Sequence, residues 1–181
     1  MINWDKVYKL SANEFSEDPD KFADPQLIYS LGNLRKQLKN KMRPSPVKGT
    51  LARHTGSEDS QHFVGPEINP IRKSKASDVF CEGYPFQTLS IVLSTGHFNG
   101  VGVYLDTKGP DGLPWVMFHL DIRPNGFATN LPLIWIVEKV YDAEKDKKVY
   151  KYRYPQFDPQ YWKLFNDKKL FKSKQFGVRT T

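Results

Sequence analysis

The sequence predicts an α+β fold, and three patterns carry that prediction. Leu27, Leu31, Leu34 and Leu38 recur at helical spacing, with Ile28 and Met42 on the same broad face. Val101, Val103 and Leu105 alternate with Gly102 and Tyr104 ahead of a second strand-like run over 115–122, so residues 99–122 read as an antiparallel hairpin. The runs 131–141 and 149–154 flank the polar stretch 142–147, which reads as a second hairpin. At 181 residues the chain suits one domain. We expect residues 1–130 to form it. Residues 131–181 read as a basic, aromatic extension, a hairpin plus a helix, packed on the same body.

In chain order, Ser11-Ala12-Asn13-Glu14 is a capping-box pattern that starts a short helix. Asp24-Pro25 opens the leucine-rich helix, which must stop before Pro44. Residues 47–51 read as a strand, 52–62 as an exposed loop rich in Gly, Ser and charge, and 66–75 as a second loop. Asp78-Val79-Phe80-Cys81 reads as a short buried strand, and residues 84–93 as a helix ending near Gly96. Gly109-Pro110-Asp111-Gly112 is turn chemistry. Asp158-Pro159 opens a last helix carrying Tyr161, Trp162, Leu164 and Phe165.

Composition removes several function classes. Hydrophobic residues make up 39% and aromatics 14%, enough for a packed core, yet no apolar run approaches the length of a membrane span. The start, Met1-Ile2-Asn3-Trp4-Asp5-Lys6, lacks the basic-then-apolar layout of a secretory signal, so synthesis in the cytoplasm is the expectation. Cys81 is the single cysteine, which excludes an internal disulfide and a cysteine zinc cluster and reads as a buried thiol. The net charge of +7 is uneven: residues 143–181 hold 11 basic and 4 acidic side chains, a difference of +7. That tail faces solvent or an anionic partner such as cell-wall glycan, nucleic acid or an acidic protein surface.

Two segments concentrate chemistry. Ser60-Gln61-His62-Phe63-Val64-Gly65 is followed by Lys75-Ala76-Ser77-Asp78-Val79, and Trp115-Val116-Met117-Phe118-His119-Leu120-Asp121-Ile122-Arg123-Pro124 lies further on. They bring two histidines and a carboxylate near strands, a donor set that suits zinc with one coordination position open, and so hydrolysis. Strand alternation sends Met117, His119, Asp121 and Arg123 to one face. Asp121 there either orients a ligating imidazole or acts as a base.

These segments resemble the Ser-x-His-x-x-Gly-x-Ala-x-Asp motif and the His-Val-Asp-Val-Arg strand of the zinc D-Ala-D-Ala carboxypeptidases and related peptidoglycan endopeptidases. Val47-Lys48-Gly49-Thr50-Leu51-Ala52-Arg53 is similar to that family's strand ending in arginine, and Asn99-Gly100-Val101-Gly102-Val103-Tyr104 fits its layout. The resemblance covers about residues 10–125. It implies a hedgehog/D-Ala-D-Ala-peptidase-like fold, a small antiparallel sheet packed with helices and zinc in a cleft. It implies His62, Asp78 and His119 as the Zn²⁺ ligands, Arg53 as the cation that binds substrate or stabilises the reacting carbonyl, and Ser60 as a shaper of the loop before His62.

The chain departs from the family pattern twice. His62 and Asp78 are 16 residues apart, wider than the motif, so an insertion within 66–74 is required and Glu67 stands as an alternative carboxylate ligand. Relatives often carry Glu or Asp three residues before the last histidine, where this chain has Val116. Asp121 and His97 are the replacement bases, Asp106 and Asp111 the weaker ones at a turn, and His54 reads as solvent-facing.

The expected activity is zinc-dependent hydrolysis of peptide bonds in bacterial peptidoglycan, by a phage or prophage lysin acting at the cell wall or within a phage particle. The alternative is a virion structural or assembly module that keeps the fold with weak or no activity. Its aromatic tail (Trp135, Tyr141, Tyr150, Tyr152, Tyr154, Trp162) would then pack on partner subunits. A nucleic-acid binder using the basic, aromatic tail is a third reading, and no recognition motif supports it.

Overall fold

The computed structural model describes residues 1–39, 41–109, 115–124 and 131–155. Two single-turn 3₁₀ segments, Trp4–Lys6 and Ala12–Glu14, begin the chain, the second framed by the Ser11/Glu14 capping box. Helices α1 (Pro19–Phe22) and α2 (Pro25–Gln37) follow. Each starts with proline in its first turn behind an aspartate whose carboxylate accepts backbone N–H bonds, Asp18 from Asp20 and Lys21 and Asp24 from Gln26. Proline loses nothing there, because that first N–H has no partner within the helix. Strands β1 (Met42–Pro44) and β2 (Ala76–Cys81), helix α3 (Pro85–Ser94), and strands β3 (Gly100–Tyr104), β4 (Val116–Asp121), β5 (Leu133–Asp142) and β6 (Lys147–Arg153) complete the order.

The six strands form one sheet in the order β1-β2-β4-β3-β5-β6. Both expected hairpins are present as antiparallel pairs, β3 with β4 and β5 with β6. The sheet is mixed rather than antiparallel throughout, because β5 pairs parallel with the free side of β3. β5 lies on the side of β3 opposite β4 and runs in the same direction as β3. Alternation fixes which face a side chain takes but not which neighbour the next strand joins, so the sequence pattern could not show this pairing. Residues 131–155 thereby continue the same sheet as residues 42–121.

Two expected elements differ. Residues 47–51 form a turn, not a strand: Thr50 N–H donates to the Val47 carbonyl, and Gly49 adopts φ +87°. Met42 is buried on β1, beyond the end of α2 at Gln37. The turn expected at 109–112 and the helix expected from Asp158 fall wholly or mainly outside the described residues.

The helices cover one face of the sheet. Leu27, Ile28, Leu31 and Leu34 of α2 and Leu89 and Val92 of α3 pack with Val79, Val101, Val103, Val116, Phe118, Leu120 and Ile136. Leu31→Ala in this layer should cost about 2–5 kcal/mol of unfolding free energy, read from chemical denaturation. The strand residues between these apolar positions point to the other face, and the chemistry lies there. Among the described residues, no helix is long and apolar enough to cross a membrane.

Candidate metal site

Register builds the site as a row across the sheet. Asp78 on β2 is opposite His119 on β4, His119 is opposite Gly102 on β3, and Gly102 is opposite Trp135 on β5. Paired residues share a face, so Asp78, His119 and Trp135 all project from the side away from the helices. His62 arrives from a loop. Arg53 N–H donates to the His62 carbonyl at 2.8 Å and Val64 N–H to the Arg53 carbonyl at 2.9 Å, a short bridge that holds the loop over the sheet. Ser60 Oγ accepts from the His62 N–H at 3.3 Å, as expected of a residue shaping this loop.

The three side chains converge. His62 Nε2 lies 3.0 Å from His119 Nδ1 and 3.3 Å from Asp78 Oδ1, and His119 Nδ1 lies 3.1 Å from Asp78 Oδ1. All are buried, with 2%, 6% and 9% of His62, Asp78 and His119 exposed. Four-coordinate zinc with ligands at about 2.0–2.2 Å sets its donor atoms roughly 3.3–3.6 Å apart, close to this triangle. The buried His62-Asp78-His119 group can hold a metal ion. Glu67 is exposed and lines an adjoining depression with Lys48, Arg53 and Thr55, whereas Asp78 is the carboxylate grouped with the histidines.

Electrostatics favour a cation at the centre of the triangle. His119 Nε2 is 3.0 Å from Asp121 Oδ2, so the N–H of that nitrogen goes to Asp121. A neutral His119 then turns the bare lone pair of Nδ1 toward the Asp78 carboxylate, which is repulsive unless a proton or metal ion lies between them. Burial alone would lower the His119 pKa, but hydrogen bonds to Asp121 and Asp78 and their charges outweigh it and raise it to about 9. Burial opposes ionisation of Asp78 too, and bonds to His119 and His62 overcome it, holding the carboxyl well below the usual range. His62 Nδ1 is buried and finds no hydrogen-bond partner among the described residues.

Asp121 is fully buried, and both of its oxygens are engaged: Oδ1 accepts from Arg123 Nε at 2.7 Å, while Oδ2 meets Arg123 and His119 Nε2. Despite burial, the Arg123 guanidinium and His119 hold its pKa near 2. It sits behind the imidazole, away from the Nδ1 side where the three donor atoms meet. The structure does not bring His97 to them. His97 Nε2 lies 3.5 Å from Asn33 of α2, in the helical layer. Val116 is 1% exposed and packs in the core between sheet and helices, so this position faces away from His119. His54 is half-buried rather than solvent-facing: its Nδ1 meets the Gly65 carbonyl at 2.9 Å, and its ring is edge-on to Phe22.

A cleft of about 270 Å³ opens over the histidines. Arg53, Asp59, Ser60 and Arg123 line it, with Tyr104, Trp135, Tyr152 and Tyr154 as an aromatic wall. Arg53 is thus at the cleft, its Nε donating to the Gly49 carbonyl at 3.0 Å. The role of Glu17 and the aromatic wall were not legible as site features in the sequence. Glu17 accepts from the N–H groups of Gly49, Leu51 and Ala52, fixing the turn that leads into Arg53. Glu17→Ala should cost at least about 2 kcal/mol, since charged acceptors hold backbone donors more strongly than neutral ones. Amide exchange at those three positions should accelerate with it.

The segment 66–75 is stitched along the first ligand loop. Arg72 donates to the carbonyls of Phe63, Ser60 and Glu58, and Lys75 N–H donates to the Gln61 carbonyl. Residues 66–75 thereby return the chain beside His62 before Asp78 enters β2. No protein-family model matches the chain, and no curated protein or solved structure matches it.

Proposed function

We propose that this chain is a zinc-dependent peptidase of the D-Ala-D-Ala carboxypeptidase or peptidoglycan endopeptidase type, with a hedgehog-like fold, acting on the peptides of bacterial cell walls. The observation that carries this reading is the convergence of His62 Nε2, Asp78 Oδ1 and His119 Nδ1 beneath an open cleft. The donor set and spacing favour zinc over harder cations, which prefer all-oxygen sites. When bound, zinc supplies Lewis acidity and an acidified water.

The chain's own residues supply the rest. Asp121, itself clamped by Arg123, holds the Nε2 proton of His119 and so keeps Nδ1 bare toward the centre. Arg53 at the cleft rim offsets negative charge on a substrate carbonyl or carboxylate. Asp59 is the exposed carboxylate that lines the cleft, whereas Asp121 is tied behind the His119 imidazole and His97 lies in the helical layer, so neither faces the open side of the triangle. The aromatic wall bounds the cleft on one side.

The same placement of Asp121 and His97 favours a second reading, a virion structural module that keeps the metal and turns over slowly or not at all. Exposed Tyr141, Tyr150 and Tyr152 on the β5–β6 hairpin would then meet partner subunits. Incubation of the zinc-loaded protein with purified peptidoglycan, read by mass spectrometry of released peptides, separates the two. Soluble peptides that vanish with Arg53→Ala support the peptidase. Retained zinc with no cleavage of any wall peptide supports the module.

A further inference from the structure

Trp135 touches the site from a part of the chain that the sequence reading placed outside it. Its indole is 8% exposed, and its ring centroid lies 5.1 Å from that of His119, tilted by 49°. The Arg123 guanidinium sits 5.6 Å from the same indole. The indole can reach both only because the intervening residue on β3 has no side chain. A Cβ on Gly102 would stand 2.5 Å from Trp135 Nε1 and 2.6 Å from Cε2, far inside van der Waals contact. Gly100, two residues earlier on the same face, does the same for Asp121, whose carboxylate fills the space that a Cβ would need.

We propose that Trp135 is a positioning residue of the metal site: lodged over Gly102, its indole fixes the His119 imidazole and the Arg123 guanidinium so that His119 Nδ1 stays aimed at the point shared with His62 and Asp78. Asp121 holds the imidazole through Nε2, and Trp135 blocks rotation of the ring from the β5 side. The parallel pairing of β5 with β3 is what delivers the indole, at the register Gly102 to Trp135. The β5–β6 hairpin is therefore part of the metal site, with Tyr104 and Tyr152 lining the cleft beside the same indole.

The proposal rests on the metal-binding reading of the triad and not on the peptidase reading, and the test separates the two. Zinc affinity is measured on the full chain by competition with a chromophoric chelator. Trp135→Leu should weaken zinc at least about 10-fold, the usual scale for groups that orient a ligand. Trp135→Phe, which keeps a flat ring against His119, should recover most of that loss. Ile136→Ala is the control, one residue along β5 with its side chain in the helical core. It should lower the melting temperature while leaving zinc affinity within about threefold, the ordinary context scatter of such effects. Zinc should also change the tryptophan emission of the wild type, and Trp135→Phe should abolish that change. Because Phe keeps an aromatic ring in the slot and removes less volume than Leu, this readout survives if the Leu variant fails to fold. Wild type that binds no zinc overturns the metal reading itself. Wild type that binds zinc overturns the positioning role in any of three ways: the Leu variant binds equally well, Ile136→Ala weakens zinc as much as Leu does, or the emission change persists in the Phe variant.

Discussion

His119→Ala protein is expected to leave gel filtration with essentially no metal, whereas the wild type carries about one zinc per chain, held by three protein ligands with one position left open. His119 Nδ1 is a corner of the donor triangle, so its loss leaves one imidazole and one carboxylate, too few to hold zinc against a modest chelator. His62→Ala should behave alike, since its Nε2 is the second nitrogen. Asp121→Asn differs in kind: it removes a group that orients His119 and should weaken zinc about 10- to 100-fold without abolishing it. His97→Ala, beside Asn33 in the helical layer, should leave zinc content unchanged. Elemental analysis of the five proteins reads all of these outcomes together.

Metal-free protein should lose stability as pH rises from about 6.5 to 9, and zinc should remove that loss. His119 has a folded pKa raised to about 9 from 6.5, opposed by burial and driven by Asp121 and Asp78. A raised pKa means that the folded state holds the proton more tightly. The stabilisation is full below pH 6.5 and is lost as pH climbs through 9, roughly 3 kcal/mol at most. Asp78 and Asp121 have lowered pKa values, so their contribution is present above about pH 4 and is lost as pH falls through their folded values. Between these limbs the metal-free protein is most stable. Zinc takes the place of the His119 proton, so the loaded protein should show a flat alkaline limb and should release metal on acidification. Thermal melts of both forms across pH 4–9 check this. A metal-free protein with no alkaline decline, or a loaded protein with the same decline, would contradict the account.

What the sequence reveals here divides along physical lines. Helix α2, the two hairpins and buried β2 were legible because each is a local pattern: leucines at helical spacing, alternation on both sides of a turn, an apolar run. His62, Asp78 and His119 were legible as a set because donor types and their order along the chain constrain a metal site even with a long loop between His62 and Asp78. The bonds from Arg72 show how that loop returns the chain toward His62. Long-range pairing was not legible. Neither the parallel alignment of β5 with β3 nor the arrival of Trp135 over Gly102 leaves a mark in local spacing. The turn at 47–51 had the composition of a strand, but Glu17, more than thirty residues earlier, captures its amides. Val116 looked like a lost acid, although on a regular strand three residues from His119 it must face the core.

The most direct measurement is an anomalous-scattering map, recorded at the zinc edge, of crystals of the zinc-loaded protein. One peak should lie about 2.0–2.2 Å from each of His62 Nε2, Asp78 Oδ1 and His119 Nδ1, on the cleft side of the sheet. A map with no peak at that point, or with the ion held by other residues while these three side chains turn apart, would contradict the account.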